Sequence, residues 1–378
     1  MPSNIKVITM PKWGLTMKEG LVGDWLIEEG ETVDSGMEVV DVETEKITSA
    51  VEVADAGTLR RIVAVPGETL PVGALLGVIT EEEVSDAELD AFIQEFQENF
   101  VPEEDGEEDS GPKTETVQIG ELTINFLRQG SAEKTAVLLH GFGGDLNNWL
   151  FNHMALIENR TVLAIDLPGH GSSSKTVGDG SFAFMADTLQ QLMKELDVSK
   201  ADWVGHSMGG AIALQLAKSH PALVRSLTLI GSAGLGSEIN ADYLKGFTQS
   251  ESRRALKPHV QQLFKDPSLV TRQLVDDLLK FKRIDGVQAC LQTITDCFID
   301  GGNQVENLRN VLEAQDIPAL VIWGAEDQII PANHARDLPS QDNVHILEDG
   351  GHMVQMESAT EVNKLITDFW KDCGGDKA

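Results

Sequence analysis

Basic residues are scarce in this chain. Only 29 Lys and Arg stand against 61 Asp and Glu, a formal net charge of −32 over 378 residues. A surface that acidic repels nucleic acid and anionic membrane and leaves basic proteins as the better partners. Cysteine is scarce too. Cys290, Cys297 and Cys373 are odd in number and lack metal-ligand spacing, which excludes a disulfide framework, gives no metal site and points to a reducing compartment. Cys290 and Cys297 are expected to be core residues of one helix. No apolar run approaches the roughly 20 residues that span a bilayer, and no basic-then-apolar secretory pattern opens the chain. It therefore reads as cytoplasmic. What is present is a hydrophobic fraction of 41%, that of a soluble globular protein, in a length that suits two domains better than one.

Residues 1–80 read as short strands parted by glycine and acidic turns. Gly20, Gly30-Glu31-Thr32-Val33 and Gly36 recur 37 positions later as Gly57, Gly67-Glu68-Thr69-Leu70 and Gly73. Two like halves about a pseudo-twofold axis make a small β-sandwich. In the segment joining them, valines alternate up to Glu45-Lys46 and away from it, which places that pair at a solvent-facing hairpin tip. A lysine there is ordinarily just a solvated charge. The duplicated glycine frame with Glu45-Lys46 at its joining turn, however, resembles the lipoyl domains of the 2-oxo-acid dehydrogenase family, and the resemblance implies that Lys46 carries covalent lipoate. The related biotinyl domains flank the lysine with methionine, whereas Glu45 and Ile47 stand here. A carrier lysine must be reachable by a ligase and by several active sites, which a hairpin tip permits.

Residues 81–113 read as an acidic linker. No Lys or Arg occurs between Arg61 and Lys113, and Glu81-Glu82-Glu83 and Glu103-Glu104-Asp105-Gly106-Glu107-Glu108-Asp109 are self-repelling blocks. Between them, Ala87 to Phe96 has apolar residues at helical spacing behind a Ser85 cap, a short docking helix. As a flexible tether the segment would span roughly 30 Å. The small basic subunit-binding domain common at this place in acyltransferases of the lipoyl family is not visible.

From Thr114 to the end, at 114–378, the pattern is α/β. Strands are expected near 116–127, 135–139, 161–166, 202–205, 226–231, 318–323 and 344–347, and their apolar character predicts a central, mainly parallel sheet covered on both faces. Between about 234 and 315 strands give way to helical stretches, read as a cap over the carboxyl edge of the sheet.

Within this region Gly205-His206-Ser207-Met208-Gly209 follows an apolar strand and precedes a helical pattern. A serine at such a turn is strained and exposed, with glycines where a β-carbon would collide. The Met208 amide at the helix start can stabilise an oxyanion. A glycine-rich turn without chemistry is the plain alternative. Earlier stands His140-Gly141-Phe142-Gly143-Gly144-Asp145, whose Phe142 amide would complete the oxyanion hole. Later stand Gly324-Ala325-Glu326-Asp327 and Asp349-Gly350-Gly351-His352. This order of four pieces resembles the α/β-hydrolase family, which implies Ser207 as nucleophile, His352 as base and Asp327 as the group that fixes its tautomer. Glu326 competes with Asp327, and His352 competes with the bland role of a turn histidine. His140, His170 and His206 are taken as structural or pocket-lining. His345-Ile346-Leu347-Glu348-Asp349-Gly350 matches the His-x-x-x-Asp-Gly string of another acyltransferase domain and is taken as coincidence, since His345 falls within the last expected strand.

A lipoyl domain joined to an α/β-hydrolase domain resembles the acyltransferase (dihydrolipoyllysine-residue acetyltransferase) component of bacterial acetoin dehydrogenase systems. The resemblance implies acetyl transfer from dihydrolipoyl-Lys46 to coenzyme A. The implied partners are a thiamine-diphosphate-dependent acetoin-cleaving component and dihydrolipoamide dehydrogenase, with the chain oligomeric inside that complex. Arg253, Arg254 or Lys282 of the cap are candidates for the phosphates of coenzyme A. Two further readings stay open: a serine hydrolase that releases the acyl group to water, and an acyl carrier whose triad is unused.

Overall fold

The computed structural model describes residues 5–11, 19–34, 36–43, 48–53, 55–80, 84–100, 113–314, 316–338 and 343–374. The chain divides into two compact units, Met1–Ser110 and Gly111–Ala378. Strands of the first unit are β1 (Ile5–Thr9), β2 (Glu19–Trp25), β3 (Thr32–Val33), β4 (Glu38–Glu43), β5 (Thr48–Glu52), β6 (Gly57–Ile62), β7 (Thr69–Pro71) and β8 (Leu75–Thr80). They form two four-stranded sheets, ordered β1-β8-β6-β3 and β5-β4-β2-β7. The repeat carries β2, β3 and β4 onto β6, β7 and β8, and the short strand of each half pairs in the other half's sheet, β3 with β6 and β7 with β2. Neither half closes its sheet alone. The repeated glycines share one backbone geometry, φ of 95° and 92° at Gly30 and Gly67, and 84° at both Gly36 and Gly73. Side chains other than glycine rarely adopt such angles. Val33, Val40, Val42, Leu59 and Leu76 fill the space between the sheets.

β4 and β5 pair antiparallel from Glu38 opposite Glu52 to Glu43 opposite Thr48, so both ends of the segment that carries Lys46 are held side by side. Glu45 and Lys46 themselves lie outside the described residues. Helix α1 (Asp86–Asn99) begins at Ser85, whose hydroxyl accepts the Glu88 N–H while the Glu88 carboxylate accepts the Ser85 N–H, a capping box. Leu89 packs on Leu75 and Val78, with Ile93 and Phe96 beside it. This is why every residue of β8 is buried. The helix expected within a linker is thus packed on the first sandwich, because its apolar residues recur at helical spacing along one face.

In the second unit follow β9 (Thr114–Ile119), β10 (Leu122–Gln129), β11 (Thr135–Leu139), α2 (His153–Leu156), β12 (Thr161–Ile165), α3 (Phe182–Glu195), β13 (Ala201–His206), α4 (Met208–Ser219) and β14 (Val224–Ile230). Then come α5 (Ala241–Gln249), α6 (Arg253–Gln261), α7 (Arg272–Lys282), α8 (Val287–Phe298), β15 (Ile299–Asp300), β16 (Asn303–Gln304) and α9 (Arg309–Ala314). Last are β17 (Ala319–Gly324), α10 (Asn333–Arg336), β18 (Val344–Leu347), α11 (Val354–Glu357) and α12 (Ala359–Gly374). The eight-stranded sheet runs β18-β17-β14-β13-β11-β12-β10-β9. It is parallel from β18 to β12 and antiparallel at β10 and β9. The stretch 116–127, expected as one strand, is a hairpin turning at Gly120, where φ is 58°. The cap likewise holds a two-stranded hairpin, β15 with β16, among its helices. Its Gly301-Gly302 pair, with φ of 57° and 90°, suits a tight two-residue turn. Cys290 and Cys297 do share α8, the first buried and the second half-buried.

Helices α3 and α4 bury Met185, Leu189, Leu192 and Ile212 against one face of the sheet, and α12 buries Val362, Ile366, Phe369 and Trp370 against the other. With both faces covered, the functional groups gather at the carboxyl ends of β13, β14, β17 and β18, four neighbours in the sheet. Among the described residues no helix is long and apolar enough to cross a membrane, and no cluster of His, Cys, Asp and Glu could hold a metal ion.

Candidate active site

Ser207 links β13 to α4 with φ 54° and ψ −118°, a strained conformation for a residue with a side chain. The turn admits only glycine two residues to either side. A β-carbon on Gly205 would stand 2.4 Å from Gly209 O, and one on Gly209 would stand 2.3 Å from Leu139 O. Neighbouring chain holds the strain in place: Ser207 N–H donates to Ile230 O at 2.9 Å, and Ala233 N–H donates to Ser207 O at 3.0 Å.

His352, in the turn after β18, places Nδ1 2.7 Å from Asp327 Oδ2, after β17. Asp327 Oδ1 accepts the Ile329 and Ile330 N–H groups at 2.8 and 2.9 Å. A carboxylate so engaged acts as acceptor, which puts the imidazole proton on Nδ1 and leaves Nε2 bare to take one. Gly231, the residue after β14, sits against this pair, and a β-carbon there would meet Asp327 Oδ2 and His352 Nδ1 at 3.4 Å. Glu326 points elsewhere, to Lys265 at 3.3 Å. His345 lies within β18, and Asp349 bonds Lys265 at 3.0 Å, so the His-x-x-x-Asp-Gly string builds no site.

Phe142 and Met208, whose amides are the expected oxyanion donors, lie in the loop after β11 and at the start of α4. Among the described residues neither N–H donates to a protein acceptor, whereas the next amides are engaged, Gly143 N–H by His170 Nε2 at 3.1 Å and Gly144 N–H by Gly141 O at 3.2 Å. His140 and His170 bracket the loop. His140 Nε2 accepts Leu167 N–H at 3.0 Å, so its Nδ1–H donates to Gly141 O at 2.8 Å. His170 Nδ1–H donates to Pro168 O at 3.1 Å. Burial pushes both below the usual histidine range, His170 to about 3, and a neutral ring is what accepting an N–H requires. The structure also gives His206 a task its position in the motif did not reveal. Its Nε2–H donates to His352 O at 2.9 Å, and its ring lies 4.7 Å from the His352 ring.

The cap closes over these groups. Phe247 of α5 meets Phe142 edge-on at 5.8 Å, and Phe281 of α7 stacks on His170 at 6.2 Å. Ser207 and His352 are 6% and 2% exposed. Neither phenylalanine carries a local sequence signal, since each is one apolar position of an amphipathic helix. The cap residues considered for binding phosphate differ in their surroundings. Arg253 makes a bidentate pair with Asp276 at 2.7 and 2.8 Å, and Lys282 is buried with its ammonium on Phe247 O and Ser250 O. Arg254 is exposed.

A family model described as alpha/beta hydrolase fold matches residues 135–359, and the biotin/lipoyl model, described as biotin-requiring enzyme, matches residues 6–79. The class is an α/β-hydrolase-fold protein with a biotin/lipoyl domain ahead of it. A solved meta-cleavage product hydrolase from Pseudomonas fluorescens shares the fold at a TM-score of 0.61 and 22% identity, over 68% of this chain and 97% of that one. The dihydrolipoyllysine-residue acetyltransferase component of the acetoin cleaving system of Pseudomonas putida is 50% identical over 97% of this chain and 99% of its own length. Its counterpart in Cupriavidus necator is 45% identical over 95% and 96%. The chain belongs to this family of acetyltransferase components.

Proposed function

We propose that this chain moves an acetyl group from a dihydrolipoyl thioester on Lys46 to coenzyme A, through Ser207, His352 and Asp327, as the acetyltransferase of an acetoin-cleaving system. Residues 1–80 serve as the carrier domain, with α1 packed on it, the rest of 81–113 as the acidic connection and 114–378 as the catalytic domain. A thiamine-diphosphate-dependent cleaving component would load the carrier, and dihydrolipoamide dehydrogenase would reoxidise it, in an oligomeric cytoplasmic complex. Lipoate, joined to Lys46 through an amide, supplies a dithiol that carries the acetyl group as a thioester. The antiparallel β4–β5 pair fits that role, since it brings both ends of the Lys46 segment together on a rigid sandwich.

The single observation that supports the catalytic reading is the Asp327–His352 pair, joined through the His206 bond to His352 O to the turn that holds the strained Ser207, with unengaged amides at Met208 in that turn and at Phe142 in the loop after β11. Ser207 Oγ attacks the acyl carbonyl as its proton passes to His352 Nε2. The Phe142 and Met208 N–H groups hold the oxyanion, and the carbon–sulfur bond breaks as His352 returns the proton to the leaving thiolate. In the second displacement His352 takes the proton of the coenzyme A thiol, sulfur attacks the acyl-serine, and Ser207 regains its proton. Asp327 keeps the base in the right tautomer through both steps. Supplying a thioester acetyl donor without coenzyme A should leave one acetyl group on the peptide containing Ser207, read by mass after rapid digestion. Ser207→Ala should abolish it. Acetyl-coenzyme A formed at the wild-type rate by Ser207→Ala would refute the reading.

A further inference from the structure

Lys282 is buried, and the chemistry above makes no use of it. Its ammonium donates to Phe247 O and Ser250 O at the carboxyl end of α5 and stands 5.3 Å from the centre of the Phe247 ring. Helix-end carbonyls lack partners within the helix and form the negative pole of its dipole. Gln288 of α8 donates to the adjacent Thr248 O, so the end of α5 is held by α7 and α8 together.

What α5 presents at that end is the Phe247 ring. The ring meets Phe142 edge-on and lies on Gly143, where a β-carbon would fall 2.5 Å from Phe247 Cε1. Gly143, with φ of 72°, is thus the residue that lets the ring approach. Phe281, immediately before Lys282, stacks on His170, the ring that accepts Gly143 N–H. Two consecutive residues at the end of α7 therefore grip one loop, Lys282 through Phe247 and Phe281 through His170.

We propose that Lys282 is a positioning residue for the oxyanion loop: by tying the end of α5 to the end of α7 it seats Phe247 on Phe142 and Gly143 and so aims the Phe142 N–H. The proposal rests on Phe142 being an oxyanion donor, as inferred above. Burial lowers the Lys282 ammonium to about 8, opposed by Glu251, the charged group acting on it among the described residues. The charge that strengthens both carbonyl bonds is then lost just above neutral pH, and a neutral amine holds them more weakly.

The test is acylation of the full-length protein by an activated aryl acetate, followed as the burst of released phenolate between about pH 7 and about pH 10. In wild type the acylation rate should fall as pH rises past about 8. Lys282→Met keeps the aliphatic stem and should lower acylation at neutral pH roughly 30-fold, with the KM for the acetate changed less than about 3-fold, and should lack the alkaline fall. Lys282→Arg should restore most of the rate and carry the alkaline limb beyond the range tested, because guanidinium stays charged there. A Lys282→Met protein with the wild-type rate and the wild-type alkaline limb overturns the proposal. Should Lys282→Met not fold, an alkaline limb left unmoved in Lys282→Arg overturns it equally. A burst that survives in Ser207→Ala would instead overturn the nucleophile reading, whatever Lys282 does.

Discussion

Asp327 shows how much one side chain fixes. Its Oδ2 takes His352 Nδ1 and its Oδ1 takes two backbone N–H groups, and its side chain has no exposure. Asp327→Asn keeps size and shape, so folding should be preserved. Its amide donates where a carboxylate accepts, which turns His352 to the tautomer with Nε2 protonated and unable to receive the Ser207 proton. Acyl transfer should fall by a factor on the order of 10⁴ with the melting temperature nearly unchanged, while Glu326→Gln, altering a side chain 59% exposed, should leave it intact. An Asp327→Asn enzyme that keeps a tenth of wild-type activity would remove Asp327 from the mechanism. Ser207, Asp327 and His352 were legible in the sequence because each lies in a short motif with glycines at the end of a strand. Lys282 was not: its charge suggested a phosphate, and only the packing of α5 against α7 turns it inward.

At the scale of elements, the strands hold the site from the far end of the sheet as well. Asp202, near the start of β13, accepts from Arg160 at 2.7 Å, from Arg225 at 3.0 Å and from Ser226 Oγ at 2.8 Å. The start of β13 is thereby tied to β14, its neighbour in the sheet, and to the residue that leads into β12, two strands away. Arg160 is 1% exposed and faces the Trp370 ring of α12 at 5.0 Å. Asp202→Ala deprives a buried guanidinium of its carboxylate and should cost roughly 3–5 kcal/mol in urea unfolding. A loss under about 1 kcal/mol would show the network to be dispensable. The α/β alternation and most strand positions could be read from apolar runs, since parallel strands are buried on both faces. Two details could not. The turn at Gly120-Glu121 is too short to interrupt the apolar pattern of 116–127, and the four-residue pairing of β15 with β16 falls below any period a sequence displays. Helix α1 was visible by its Ser85 cap and spacing, but what its apolar face covers depends on β8, whose own all-buried pattern makes sense only with the helix in place.

For the whole molecule, the repeat in the first unit and the motif order in the second are independent signals, and their coincidence in one chain points to a carrier feeding an acyl-transfer site. The net charge of −32 suits assembly with basic partner surfaces and weakens with salt. Hydrolysis of the carried thioester would discard the energy of the upstream cleavage, while transfer to a thiol conserves it. The most direct measurement is therefore the product ratio from a single turnover of lipoylated, acetyl-loaded protein with and without saturating coenzyme A, with Lys46→Arg and Ser207→Ala as controls. The expected result is acetyl-coenzyme A as the main product when coenzyme A is present, no product from Lys46→Arg, and transfer slowed by orders of magnitude in Ser207→Ala. Free acetate as the main product under both conditions would contradict it.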